Sequence, residues 1–121
     1  MSTCVFCDIA AVKAPARFRY TWPDALAFYP LNPVTEGHLL VIPRVHVADF
    51  GEDPEVSAAT MRRAAEAANH SYPGTPMNLI TSRGRAATQS VFHLHIHLVP
   101  RSEGDGLALP WYSGKRSKER A

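Results

Sequence analysis

Residues 93 to 98 read His-Leu-His-Ile-His-Leu, a strict alternation of imidazole and aliphatic side chains. Successive residues of a β-strand point to opposite faces, so such a run describes a strand with one polar and one apolar side. His93, His95 and His97 then share one face, and Leu94, Ile96 and Leu98 lie against a core. The predicted strand runs from Val91 to Val99 and ends at Pro100, which has no N–H for a ladder. Any fold for this chain must cover one side of that strand and leave the histidine side accessible.

The remaining elements follow from apolar runs and their punctuation. Leu39-Leu40-Val41-Ile42, opened by His38 and closed by Pro43, is apolar on both faces and predicts a central strand covered on both sides. Phe18 to Tyr20 and Ala25 to Tyr29 predict two strands joined at Pro23-Asp24, and Met77 to Thr81 predicts another. Asp53-Pro54-Glu55 is a helix start: a capping carboxylate, proline at the first helical position, and an acid at the positive end of the dipole. This helix is expected to reach about Asn69, before Pro73-Gly74. Val56, Met61, Ala64, Ala65 and Ala68 are its candidate packing residues, and Arg62 pairs with Glu66. A short helix from Val5 to Val12 is expected to end at Pro15. The expected class is α+β: a five-stranded, mostly antiparallel sheet with one long helix and a short N-terminal one.

Composition enters as a filter. A chain of 121 residues supports one core. A net charge of +2 is too weak to indicate nucleic-acid binding, and a small anionic substrate needs only a local positive site. Lys115, Arg116, Lys118 and Arg120 crowd the last seven positions and read as a solvated tail. The expected organisation is therefore one domain over 1–112 and a basic, disordered tail over 113–121. No apolar run is long enough to cross a membrane, and the first residues lack the pattern of a secretory leader, so the expected location is cytoplasmic.

Two chemistries compete for the histidines. Neighbours on one strand face stand about 7 Å apart, which puts His93 and His97 about 13 Å apart. One zinc ion can take two adjacent imidazoles plus a ligand from elsewhere, but not all three. A neutral imidazole is also a competent nucleophile near neutral pH. Cys4 and Cys7 add a C-x-x-C pair. Redox use of that spacing goes with a preceding strand, and none is predicted; a closed zinc site needs two further ligands, for which His46, after the central strand, is a natural third.

The order Cys4-Val5-Phe6-Cys7-Asp8-Ile9, Gly37-His38-Leu39-Leu40-Val41-Ile42-Pro43-Arg44, Gln89-Ser90-Val91-Phe92-His93 and Val99-Pro100-Arg101 resembles the histidine triad superfamily of nucleotide hydrolases and transferases. The resemblance covers roughly Cys4 to Trp111. It implies that His95 attacks an α-phosphorus to form a nucleotidyl-histidine intermediate, later released by water. It implies that His97 contacts phosphate, that His38 supports the triad, and that Gln89, Ser90 and Ser82 lie on the phosphate side. A nucleoside is then expected against Val5, Phe6, Ile9, Phe28, Leu31 and Asn32. A subset of the superfamily carries structural zinc, and the matching ligands are Cys4, Cys7, His46 and His93. The implied substrate is a purine nucleoside monophosphate conjugate: a phosphoramidate, an adenylate or a dinucleoside polyphosphate. The implied assembly is a homodimer with a continuous sheet, with no membrane or nucleic-acid partner, and Trp111 matches a tryptophan that reaches the partner subunit in some relatives. A metal-dependent phosphohydrolase and a non-catalytic nucleotide-binding module are the alternatives.

Three positions depart from the superfamily pattern. Pro30 stands where an Asp or Asn commonly binds ribose, Ser82 where an Asn precedes the phosphate loop, and Thr88 where a Gly precedes the glutamine.

Overall fold

The computed structural model describes residues 4–109. The predicted tail and Trp111 lie outside the described residues. The elements are α1 (Val5–Ala10), β1 (Arg17–Thr21), β2 (Ala25–Tyr29), β3 (Leu39–Pro43), α2 (Pro54–Ser71), β4 (Met77–Ile80), a 3-10 turn at Arg85–Ala87, and β5 (Ile96–Pro100). The strands form one sheet in the order β1-β2-β3-β5-β4, with every neighbouring pair antiparallel. The expected class and strand count are therefore those observed.

Strand alternation sorts the core into two layers. Ala27, Leu39, Val41, Ile96 and Leu98 face α2 and pack on Ala64 and Ala67. Leu26, Phe28, Leu40 and Ile42 face the other way and pack on Phe6 and Ile9 of α1. All of β3 is buried, as a run apolar on both faces requires. Alanines on both sides of the α2 contact let the helix lie close to the sheet. Asp53 caps α2 by accepting from the Glu55 and Val56 N–H groups. Arg63 ties the helix to the β1–β2 turn through Asp24 at 2.8 Å.

Several boundaries move from those predicted. The last strand starts at Ile96, not Val91. Before it the chain leaves the ladder, because the Leu94 N–H donates to the Val47 carbonyl of a neighbouring loop. The packing face of α2 is Thr60, Ala64 and Ala67, while Met61 is 45% exposed and Ala65 is also exposed. Helix α2 also continues to Ser71, two residues past the predicted end. Helix α1 stops at Ala10, with Val12 in the left-handed region at φ 59°, so a local cap ends it before Pro15 is reached.

Candidate active site

The site is assembled around β5. His97 lies opposite Leu40 of β3 and Ile80 of β4. Opposed residues of an antiparallel pair share a face, so His97 is on the α1 side while Ile96 and Leu98 fill the α2 side. His95 and His93 precede the strand, yet the three rings stay close. The His95 and His97 centroids are 5.2 Å apart. Phe6 of α1 stands edge-on to His95 at 5.1 Å and to His93 at 5.9 Å.

Hydrogen bonds fix the tautomer of each ring. His95 Nδ1 lies 2.8 Å from the His93 carbonyl. A carbonyl only accepts, so Nδ1 carries the proton and Nε2 keeps its lone pair. The Val34 N–H donates to His38 Nδ1 at 3.1 Å. The His38 proton is therefore on Nε2, which donates to His97 Nδ1 at 2.9 Å. That leaves His97 with its proton on Nε2. The Thr81 hydroxyl donates to the His95 carbonyl at 2.8 Å and steadies the backbone between the His95 and His97 rings.

Burial lowers the pKa values of His38 and His95 below the ordinary imidazole value. His97 falls furthest, to about 4, through burial and then the neighbouring His95 and His38. The three rings are thus neutral at neutral pH: one presents a lone pair, one an N–H, and the third sets the second.

His93 belongs to a different cluster. Its Nδ1 lies 3.4 Å from Cys4 Sγ, 3.5 Å from Cys7 Sγ and 3.2 Å from His46 Nδ1. His46 Nδ1 is 3.2 Å from Cys7 Sγ, and all four ligand atoms fall within 4.8 Å of one another. Tetrahedral zinc with two sulfur and two nitrogen ligands has edges of roughly 3.3–3.8 Å, so the cluster has the chemistry and the size to hold such a metal. His93 is fully buried, and its Nε2 donates to the Pro43 carbonyl at 2.9 Å, which turns the Nδ1 lone pair toward the sulfurs. Burial, with Cys4 next, raises the Cys7 thiol to about 11; a bound dication reverses that bias.

A groove of about 1320 Å³ opens on the α1 side. Val5, Phe6, Ile9, Phe28, Leu31 and Asn32 all line it, together with Ser90, His38 and His97. His95 is not among the lining residues; its ring lies between those of two that are, 5.2 Å from His97 and 5.1 Å from Phe6. Gln89 is 4% exposed and faces inward. Its Oε1 accepts from the Gly84 N–H at 2.8 Å, and its Nε2 donates to the carbonyls of Ala48 and Val91 at 2.7 and 3.1 Å. It braces the loop that carries Ser90. Ser82, half-buried at the start of that loop, is not part of the groove lining. Thr88 adopts φ 71°, the left-handed conformation that favours glycine.

Sequence reasoning missed the groups that set the tautomers: the Val34 N–H and the carbonyls of Pro43 and His93 belong to the main chain and carry no side-chain signal. It also missed Thr81 and Tyr72, whose hydroxyl donates to the Gly37 carbonyl beside His38 at 2.8 Å.

The model of the family described as the HIT domain matches residues 11–104. The chain is 31% identical over 118 residues to adenosine 5'-monophosphoramidase hnt1 of Schizosaccharomyces pombe, covering 97% of this chain and 89% of that protein. It is 36% identical over 108 residues to adenylylsulfatase HINT3 of Arabidopsis thaliana, covering 86% of this chain and 55% of that protein. Among solved structures it is similar to a zinc-bound histidine triad family protein from Mycobacterium smegmatis, with a TM-score of 0.75, 35% identity, and coverage of 98% of this chain and 91% of that one.

Proposed function

Because this chain belongs to the HIT domain family, we propose that it is a nucleotide hydrolase or nucleotidyl transferase working through a covalent intermediate on His95. The observation that carries this reading is the bond from His95 Nδ1 to the His93 carbonyl, which reserves Nε2 as a nucleophile. In the first step Nε2 attacks the α-phosphorus of a nucleoside monophosphate conjugate. A P–N bond forms as the bond to the leaving group breaks, and the charge gained by the imidazole is relieved toward the His93 carbonyl. His97 directs its Nε2–H at the phosphate, where preorganised donors contribute most. Water then cleaves the P–N bond and releases the nucleoside monophosphate.

The fission yeast phosphoramidase and the plant adenylylsulfatase support this reaction class. The nucleoside is placed against Val5, Phe6, Ile9, Phe28 and Leu31, with a purine as the expected base. Pro30 has no acceptor for ribose, so Asn32, on the same groove wall, takes that contact. Ser90 reaches the phosphate from the loop. Gln89 and Ser82 act through the shape of that loop.

Structural zinc on Cys4, Cys7, His46 and His93 completes the reading. A closed four-ligand site leaves no position for a catalytic water, so the metal supplies cross-linking rather than a nucleophile. The zinc-bound mycobacterial protein supports this assignment. A homodimer in a cytoplasmic setting is the proposed form.

The test is His95→Ala. It is expected to lower turnover of an adenosine phosphoramidate at least roughly a thousandfold, with the circular dichroism spectrum unchanged and no nucleotidyl adduct in mass spectra of quenched reactions. Near-wild-type turnover by this variant on phosphoramidate, adenylate and dinucleoside polyphosphate substrates would rule the mechanism out.

A further inference from the structure

Tyr72 sits directly after the last turn of α2, and its side chain lines the groove. Its hydroxyl donates to the Gly37 carbonyl at 2.8 Å. The contact is shaped from both sides. Gly37 has φ +86°, and a Cβ there would lie 2.5 Å from Tyr72 Oη and 2.9 Å from Cζ. Only glycine admits both that backbone and the phenol. The next residue is His38, 4% exposed. Its N–H donates to the Thr35 carbonyl at 3.2 Å and its ring accepts from Val34. Those two bonds lie within the turn; the bond from Tyr72 holds it from outside. Burial, with Tyr29 next, raises the Tyr72 pKa, so the hydroxyl remains a donor through the neutral range.

We propose that Tyr72 is a positioning residue for the histidine relay: by pinning the Gly37 carbonyl it holds His38 in the orientation that makes His97 present Nε2–H to the groove. The relay has two directions. In the observed one His38 Nε2–H donates to His97 Nδ1. If the turn loosens enough to break the bond from Val34 to His38 Nδ1, His38 is free to take the other tautomer. His97 Nδ1–H then donates to His38, and His97 turns a lone pair toward the phosphate. A lone pair facing an anion is repulsive, whereas an N–H is attractive. The inference rests on the phosphate role of His97 proposed above, but the tautomer itself is measurable without substrate.

Tyr72→Phe keeps the ring and removes only the donor. Tyr20→Phe is the control: Tyr20 Oη bonds Ser71 Oγ at 2.6 Å on the same helix end, and among the described residues it makes no hydrogen bond to Gly37 or His38. The first readout is the ¹⁵N chemical shifts of the His38 and His97 ring nitrogens in the free protein, with thermal unfolding as a check on folding. Tyr72→Phe is expected to shift both rings toward tautomer mixing and Tyr20→Phe to leave them unchanged. The second readout is steady-state turnover of an adenosine phosphoramidate. Tyr72→Phe is expected to lower kcat roughly two- to tenfold, the worth of one hydrogen bond, with KM within about twofold because the groove wall is intact. Unchanged ring shifts in folded Tyr72→Phe, or equal changes in Tyr20→Phe, would overturn the proposal. Absence of turnover in the unaltered protein would instead remove the phosphate reading, and the ring shifts would still decide the role of Tyr72.

Discussion

At the scale of the residue, the most consequential choices are where protons sit. The neutral state of His38 and His97 has a thermodynamic signature. Both pKa values are lowered in the folded chain by burial, His97 to about 4 against an ordinary 6.5. Above about 6.5 neither state is charged and the stabilisation is fully present. As pH falls below that value the unfolded chain takes up protons that the folded chain refuses, so stability declines toward pH 4. The urea midpoint is expected to be lower at pH 5 than at pH 7.5, with a weaker dependence in His97→Gln; a midpoint that rises on acidification would contradict it. Thr88 carries a different cost. A β-branched residue at φ 71° is strained, and Thr88→Gly is expected to raise stability by roughly 0.5–1 kcal/mol despite the added freedom of the unfolded chain. Denaturant titration reads this directly, and a destabilised variant would show that the Thr88 side chain supplies more than its backbone costs.

At the scale of the element, helix α1 and the approach to β5 show what a sequence reveals and what it hides. The alternation at residues 93–98 located the core side of the strand correctly: Leu94, Ile96 and Leu98 are each at most 4% exposed. It overstated the length of the ladder, because the bond from the Leu94 N–H to Val47 is a loop contact that periodicity cannot encode. The same departure lets His93 turn to Pro43 and the cysteines while His95 and His97 stay together. For α2 the cap was legible in Asp53-Pro54, but the buried stripe was not, since alanines occupy several faces and Thr60 satisfies its own hydroxyl on the Val56 carbonyl. Helix α1 is only six residues long, too short to persist alone in water. It is held by Phe6 and Ile9 and by the two cysteine positions. Zinc is expected at about one equivalent per chain, and chelation is expected to raise amide exchange across 5–10 while β3 stays protected. Metal far below one equivalent that reconstitution fails to raise would exclude the site; unchanged exchange after removal would show that apolar packing alone fixes the helix.

At the scale of the whole molecule, the sheet has α2 on one face and α1 with the groove on the other. The groove side carries His38 and His97 in its lining. On the α2 side Met61 and Ala65 are exposed, apolar surface that the proposed homodimer would cover. Light scattering is expected to give twice the chain mass, and Met61→Glu to shift it toward the monomer; a monomeric unaltered protein at micromolar concentration would refute the dimer. Strand order has a further consequence. Among the described strands β5 comes last in the chain yet lies between β3 and β4, and it is the only strand neighbour of β4 among the described residues. During synthesis on a ribosome, the first three strands and α2 emerge with an open apolar edge on β3, and β4 has nothing to pair with. Sheet closure and delivery of His97 to its place are one event, so a nascent chain acquires the complete sheet and the His38–His97 pair together, and a stalled one acquires neither.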